Sequence, residues 1–459
     1  MAFSNLSFVF FFLPLCLILY YPAPKKIKPG VMLLASLVFY AWTGLNNLLV
    51  LVLVIVFNWA AGLEIYYLRG RDRLLWEGPS SFRLTLSGLS LAVSVILNVL
   101  VLALYKYTSL AMPLGVSFFL FSAISYLADI YKGEFKPRTN PFYCALYLSF
   151  FPKVTMGPIV RYQDMADQMV QPQLTADNLT EGALLFMTGL FKKVLLADTL
   201  SKSFASCAAL SSTTVLSSWL GMIFYGLQLY FDFSGYSDMA IGLSRMFGFN
   251  SRSNFNYPYL AASLSDFWRR WHITLGAWFR DYVYIPLGGS RVSVPRHLFN
   301  LMVVWMLTGI WHGSTWNYLL WGLYNGLIII LDKYVVGKAL SKAPRFVQIL
   351  LTDLVVFVGW IFFFSPNAAS AFTYMGQLFG AQAVSFSNAQ ALMILKENLP
   401  LLVLSLLCAG PAMLKIRDLI CRRQKIGTAV ITVCYAVLFV ISIAFMVSST
   451  YSTFLYFKF

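Results

Sequence analysis

Between Phe3 and Tyr21 the chain has no Asp, Glu, Lys, Arg or His, and comparable apolar runs recur along its 459 residues. A helix needs roughly 20 mostly apolar residues to cross a bilayer. Segments that approach this lie at 3–21, 31–43, 47–68, 84–104, 110–131, 183–200, 215–232, 298–312, 316–334, 347–365, 399–414 and 426–448. Charged residues make up 11% of the chain and apolar ones 59%, against about 25% charged in a soluble domain. A soluble fold would have no adequate surface. The runs are also continuous, not alternating, which excludes a membrane barrel. The expectation is an all-α polytopic membrane protein, one integral domain over 1–459, with a retained first helix in place of a cleaved signal peptide.

The net charge of +16 does not require nucleic acid, because basic residues collect in cytoplasmic loops of membrane proteins. Lys25, Lys26 and Lys28 form one such group, and Arg69, Arg71, Arg73 and Arg83 another. Lys132, Lys136 and Arg138 follow, then Lys338, Lys342 and Arg345, then Lys415, Arg417, Arg422, Arg423 and Lys425. Placing all of them inside is compatible with the helix boundaries and puts both termini outside. The stretch 366–398, whose only charges are Lys396 and Glu397, then also falls outside. The six cysteines show no CxxC spacing and read as small apolar residues.

Two regions fail as simple spans. In "SFFPKVTMGPIVRYQD", Pro152, Gly157 and Pro158 break helices inside an apolar sequence, which predicts a re-entrant segment or elbow. The stretch from Asp232 to Arg296 is too polar to cross and too aromatic for an ordinary loop. Within it, "FWRRWHITLGAWFRDYVYIPLGGSR" read as one helix gives an apolar stripe of Trp268, Trp271, Leu275, Trp278 and Tyr282. Arg269 and Arg280 share a flank, and His272 lies on the seam. An interfacial helix that snorkels its arginines to lipid phosphates explains the arginines and tryptophans. It leaves the histidine unexplained.

His312 sits in "WMLTGIWHGSTWNYLLWG", with no other Asp, Glu, Lys, Arg or His between His297 and Asp332. An ionisable side chain inside a span is costly and marks a functional site. Gly309 and Gly313 leave room beside it. His297, next to Arg296, reads as a solvated loop residue. No GxSxG elbow occurs and no cysteine stands near either histidine, so a serine or cysteine hydrolase has little support. Metal ligation by His272 and His312 would need further ligands, for which Asp232 and Asp238 in "YFDFSGYSDMAIG" are the nearest carboxylates; no metal site is expected. General-base catalysis needs one imidazole within reach of a hydroxyl.

The run "FDFSGYSDMAIGLSRMFGFNSRSNFNYPYLAASLSDFWRRWHITLGAWFRDYVYIPLGGSR", followed by "GIWHG", resembles the membrane-bound O-acyltransferase family in its bacterial alginate O-acetyltransferase-like branch. The elbow "FFPKVTMGPIVRYQDMADQ" and "GLFKKVLLADTL" carry the likeness further, with the motif-rich core at about 140–335. The resemblance implies a ring of about 11–12 transmembrane helices, with re-entrant and interfacial helices, around a tunnel. It implies a catalytic histidine matched by His312 and a second functional polar position matched by His272. Arg269 and Arg280, with Trp268 and Trp271, would then form a donor entrance for acetyl-CoA, a substrate and not a cofactor. Asp232, Asp238, Gly313 and Asn317 would be tunnel or structural support. The activity implied is transfer of an acetyl group across the bacterial inner membrane for O-acetylation of an extracytoplasmic polysaccharide, with an extracytoplasmic acyl-accepting partner protein. D-alanyl transfer to a cell-envelope polymer, or transport without acyl chemistry, are the rivals. The tail "SSTYSTFLYFKF" is read either as an aromatic interface anchor or as an insert into that partner through Phe454, Tyr456, Phe457 and Phe459.

Overall fold

Lipid offers backbone N–H and C=O groups no partners, so apolar runs must satisfy them internally as helices. The computed structural model, which describes residues 2–77, 83–422, 424–448 and 454, is helical almost throughout. Among the described residues six helices are long and apolar enough to cross: Leu45–Arg69, Leu86–Tyr107, Trp316–Leu340, Arg345–Phe364, Ala389–Cys408 and Ile426–Ser448. Phe8–Tyr20 and Lys28–Ala41 are shorter apolar helices. The protein is an all-α polytopic membrane protein.

Several further apolar runs take other forms, for local reasons. The run at 110–131 becomes Val116–Lys132, started by Gly115 in a left-handed conformation at φ 75°. Fourteen of its 17 residues are buried, including Ser117, Ser122, Ser125 and Asp129. A helix covered on all sides belongs to a protein interior. By contrast, only 6% of the apolar window of Ile426–Ser448 is buried, as suits a lipid-facing helix. The run at 183–200 is interrupted by a π-helical turn, Lys192–Ala197. The run at 215–232 is absorbed into the 32-residue helix Val215–Met246.

The chain forms two compact units, Met1–Phe186 with Ser237–Arg252, and Met187–Tyr236 with Ser253–Phe459. In the first, a phenylalanine cluster fills the core. Phe8 lies 5.0 Å from Phe3 and 5.6 Å from Phe12, and Phe39 lies 5.5 Å from Phe151. The spans Leu45–Arg69 and Leu86–Tyr107 are joined by a reciprocal pair, Asn58 and Asn98, whose amides donate to each other at 3.0 and 2.9 Å. The expected elbow is present: Phe142–Ser149 ends at Phe150, a single turn Phe151–Val154 follows, and the chain re-enters helix at Tyr162. Burial pushes its Lys153 amine well below the ordinary lysine range. The basic region after Arg69 contributes two short strands, Leu74–Glu77 and Arg83–Thr85, paired antiparallel, which the sequence pattern did not suggest.

In the second unit, Val294–His312 and Trp316–Leu331 cross at Gly309 and Gly322. A Cβ on Gly309 would stand 3.2 Å from the Gly322 Cα, and one on Gly322 would stand 3.1 Å from the Gly309 Cα. Small residues at such a crossing let two membrane helices approach closely. The crossing sets His312, three residues beyond Gly309, over the start of the next helix.

Candidate active site

The aromatic and basic stretch is not one helix. Leu264–Arg270 and Ile273–Phe279 are separate, and His272 between them adopts φ 45°, ψ 52°. A left-handed non-glycine residue costs on the order of 1–2 kcal/mol, and such strain clusters at functional sites. The sequence reading placed Trp268 through Tyr282 on a single stripe, and the break corrects it. No Gly or Pro marks this break. The segment Ser253–Tyr257 splices into it and takes up the backbone groups that an uninterrupted helix would have used. Asn256 N donates to Arg270 O at 3.0 Å, and Ile273 N donates to Asn254 O at 2.9 Å. The Asn254 carboxamide oxygen accepts from Thr274 N at 3.2 Å and Thr274 Oγ1 at 2.6 Å. Asn254 therefore caps, from 19 residues upstream, a helix that begins at Ile273.

Asn254→Ala is expected to lower stability by about 2 kcal/mol, since it strands two buried donors. It should also reduce turnover, because His272 loses the frame that fixes its backbone. Melting in detergent and a thioester assay would register both. Unchanged melting would show that the break is held by something else.

His272 is 4% exposed and meets Phe233 edge to face at 4.7 Å. It lines a cavity of about 470 Å³ together with His312, a size typical of small-molecule sites. The helix Val294–His312 contributes Leu301, Val304, Trp305, Thr308 and His312 to this wall, spaced as one helix face. His312 is 5% exposed at the helix end. Its ring lies 4.9 Å from Trp321 and 5.0 Å from Phe363, both edge to face.

Trp268 and Trp271, expected at a donor entrance, belong to a tryptophan cluster with Trp305, Trp321 and Trp360. Trp268 is 4.7 Å from Trp305, and Trp271 is 5.0 Å from Trp360. Sequence reasoning missed Trp305, Trp321 and Trp360, which come from three helices. One signal existed: Trp305, Thr308 and His312 stand at i, i+3 and i+7.

Arg269 and Arg280 also line the cavity, and their side chains are 72% and 60% exposed, so the cavity runs from an exposed cationic end to two buried imidazoles. Arg280 donates from Nε to Asp281 Oδ1 at 2.8 Å and from Nη2 to Oδ2 at 3.2 Å. Arg269 lies 3.4 Å from Asp266, which Arg270 approaches more closely at 2.9 Å.

The four expected supporting residues do not line this cavity. Asp232 accepts from Lys193 Nζ at 2.7 Å, and the same ammonium reaches Asp198 at 2.7 Å. It anchors the π-helical turn. Asp238 belongs to the other unit. Gly313 is extended, and a Cβ there would run into the Tyr318 ring. Asn317 Nδ2 donates to Ser365 O at 2.6 Å and to Phe362 O at 3.4 Å, satisfying carbonyls at the end of Arg345–Phe364. Among the described residues no group of three or more His, Cys, Asp or Glu side chains is placed to hold a metal ion.

His297 is a correction. It is 3% exposed and hydrogen-bonded on both ring nitrogens, not solvated. The aromatic tail is partly another. Phe454 is fully buried in its own unit, 4.8 Å from Tyr236 and beneath Lys193 Nζ at 4.5 Å, so it is not offered to a partner. Tyr456, Phe457 and Phe459 lie outside the described residues.

The family model described as "MBOAT, membrane-bound O-acyltransferase family" matches residues 5–377. The chain is 37% identical to the "Probable alginate O-acetylase" of Azotobacter vinelandii, over 83% of this chain and 78% of that protein. It is 33% identical to the "Peptidoglycan O-acetyltransferase" of Helicobacter pylori, over 84% of this chain and 81% of the relative. A "Teichoic acid D-alanyltransferase" of Bacillus subtilis is 30% identical over 47% of this chain and 58% of its own length.

Proposed function

The chain belongs to the membrane-bound O-acyltransferase family, and from this premise we propose that it takes an acetyl group from acetyl-CoA and passes it across the bacterial inner membrane to O-acetylate an extracytoplasmic polysaccharide. That it is an O-acyltransferase follows from the family and its relatives. The choice of acetyl is supported by relatives named for acetyl transfer matching over four-fifths of the chain, against half for those named for D-alanyl transfer. Both termini face outward on the loop charges, and an extracytoplasmic acyl-accepting protein completes delivery to the polymer.

One observation carries the mechanism: a single cavity joins His272 and His312 to an exposed end flanked by two arginines. The arginines hold the phosphates of the donor, as guanidinium does well, and the acyl arm extends inward along the tryptophan wall. His312 takes the proton of the acceptor hydroxyl as its oxygen attacks the thioester carbon. The tetrahedral oxyanion then collapses, the C–S bond breaks, and the imidazolium returns the proton to the departing thiolate. The dry aromatic surroundings strengthen every electrostatic contact in that step.

Arg269→Ala and Arg280→Ala are each expected to raise the KM for acetyl-CoA about tenfold or more, the worth of one charge-assisted contact. Saturated turnover should change far less, because a contact remote from the reacting carbon is uniform binding. Lys at either position restores only part, since it cannot offer two parallel N–H groups. Unchanged donor dependence in both Ala variants would assign the arginines to lipid headgroups.

A further inference from the structure

His297 is the one histidine of the chain that does not line the cavity, yet both of its ring nitrogens are engaged. Its Nε2 meets Tyr284 Oη at 2.8 Å and its Nδ1 meets Tyr334 Oη at 2.5 Å. A neutral imidazole donates through one nitrogen and accepts through the other, so the two hydroxyls take opposite roles and the chain of three has a direction. Tyr284 is also a wall residue of the cavity, beside Arg280 and Ser265.

The fold builds this contact deliberately. Gly288 and Gly289 adopt φ 106° and 60°, left-handed values that favour glycine. They turn "IPLGGSR" back onto the helix Val294–His312. Asn300, one helical turn beyond His297, then donates to Gly289 O at 3.1 Å. Tyr334 comes from the π-helical turn Asp332–Val336, a distortion frequent at functional sites. Two residues earlier in that turn, Asp332 Oδ2 accepts from Ser265 N at 3.3 Å and Ser265 Oγ at 3.0 Å. One turn of chain thus fixes both Ser265 and, through His297, Tyr284.

We propose that His297 is a positioning residue: as the Nε2–H tautomer it donates to Tyr284 Oη, which leaves the Tyr284 hydroxyl proton to point into the cationic end of the cavity and bind an anionic oxygen of the acyl donor. Tyr334 supplies the matching donor to Nδ1. This inference rests on the reading that the cavity takes a phosphate-bearing thioester, and its test separates the two.

The test is a double-mutant cycle on the purified full-length enzyme with acetyl-CoA. Tyr284→Phe, which keeps the ring, and His297→Ala should each raise the KM about tenfold, the worth of one hydrogen bond to a charged group. Saturated turnover should fall by less than about threefold for a contact made equally in the ground and transition states. The double variant should be no worse than His297→Ala, because both act through one contact. Tyr334→Phe should move the KM in the same direction by less. A KM unchanged in Tyr284→Phe, or additive effects in the double variant, would overturn the proposal. If wild-type enzyme does not turn over acetyl-CoA, the donor reading fails instead. The positioning claim is then decided by deuterium exchange of residues 284–292 in the apo enzyme. Faster exchange in both Tyr284→Phe and His297→Ala supports it, and unchanged exchange overturns it.

Discussion

His312→Ala is expected to reduce acyl transfer by a factor of about a thousand, in the middle of the range for loss of a general base. The expectation comes from its placement: a nearly buried imidazole on a cavity lining that also includes Trp305, Trp321, Trp360 and Phe363. Folding should survive, because the ring already borders empty volume and its removal only enlarges it. His312→Gln keeps most of the volume and a polar end but cannot serve as a base, so it should be equally inactive. Thioester cleavage by purified variants, checked for monodispersity, measures this. Near-normal turnover in either variant would make His312 a packing residue and end the mechanism.

The second large effect is at His272. Its backbone is left-handed, so Ala would combine loss of the ring with backbone strain. Asn tolerates that conformation and isolates the side chain. His272→Asn should lower turnover about a hundredfold, the low end for a group engaged in the reacting assembly, with melting close to that of the wild type near pH 7. Burial pushes the His272 imidazole down to about 3 from its ordinary 6.5. Below pH 6.5 the unfolded chain therefore binds a proton that the folded protein refuses, and stability falls as pH falls through that window. His272→Asn removes this linkage and should flatten the decline of the melting temperature on the acid side. Full activity in His272→Asn would reduce the residue to a backbone device. An unaltered acid decline would mean that the ring is not the group that resists protonation.

Much of this site could be read from residue types alone, and the reasons are physical. Apolar runs force helices in lipid, and a histidine isolated among them stands out because burying it is expensive. That logic led to His312. The pairing with His272 came through a resemblance, and both line one cavity. What stayed hidden depends on contacts distant in sequence. The break at Trp271–His272 carries no breaker residue and exists because Asn254 and Asn256 satisfy its backbone. His297 looked solvated beside Arg296, and only the Gly288–Gly289 turn and a π-helical turn 35 residues onward enclose it. The pairing of Asp232 with Lys193, 39 residues away in sequence, likewise depends on the fold. Trp305, Trp321 and Trp360 reach the tryptophan wall from three separate helices, and each reads alone as ordinary apolar sequence.

In the proposed reaction the chain carries an acyl group from a thioester on one face of the membrane to a hydroxyl on the other through His312. Proteoliposomes holding the purified protein, with radiolabelled acetyl-CoA added on the face bearing the basic loops and a polysaccharide or accepting protein on the opposite face, test it in one measurement. Label should appear on the acceptor in wild-type vesicles, at least about a hundredfold above His312→Ala vesicles, as loss of a general base requires. Equal labelling by both, or labelling only when donor and acceptor share a face, would contradict it.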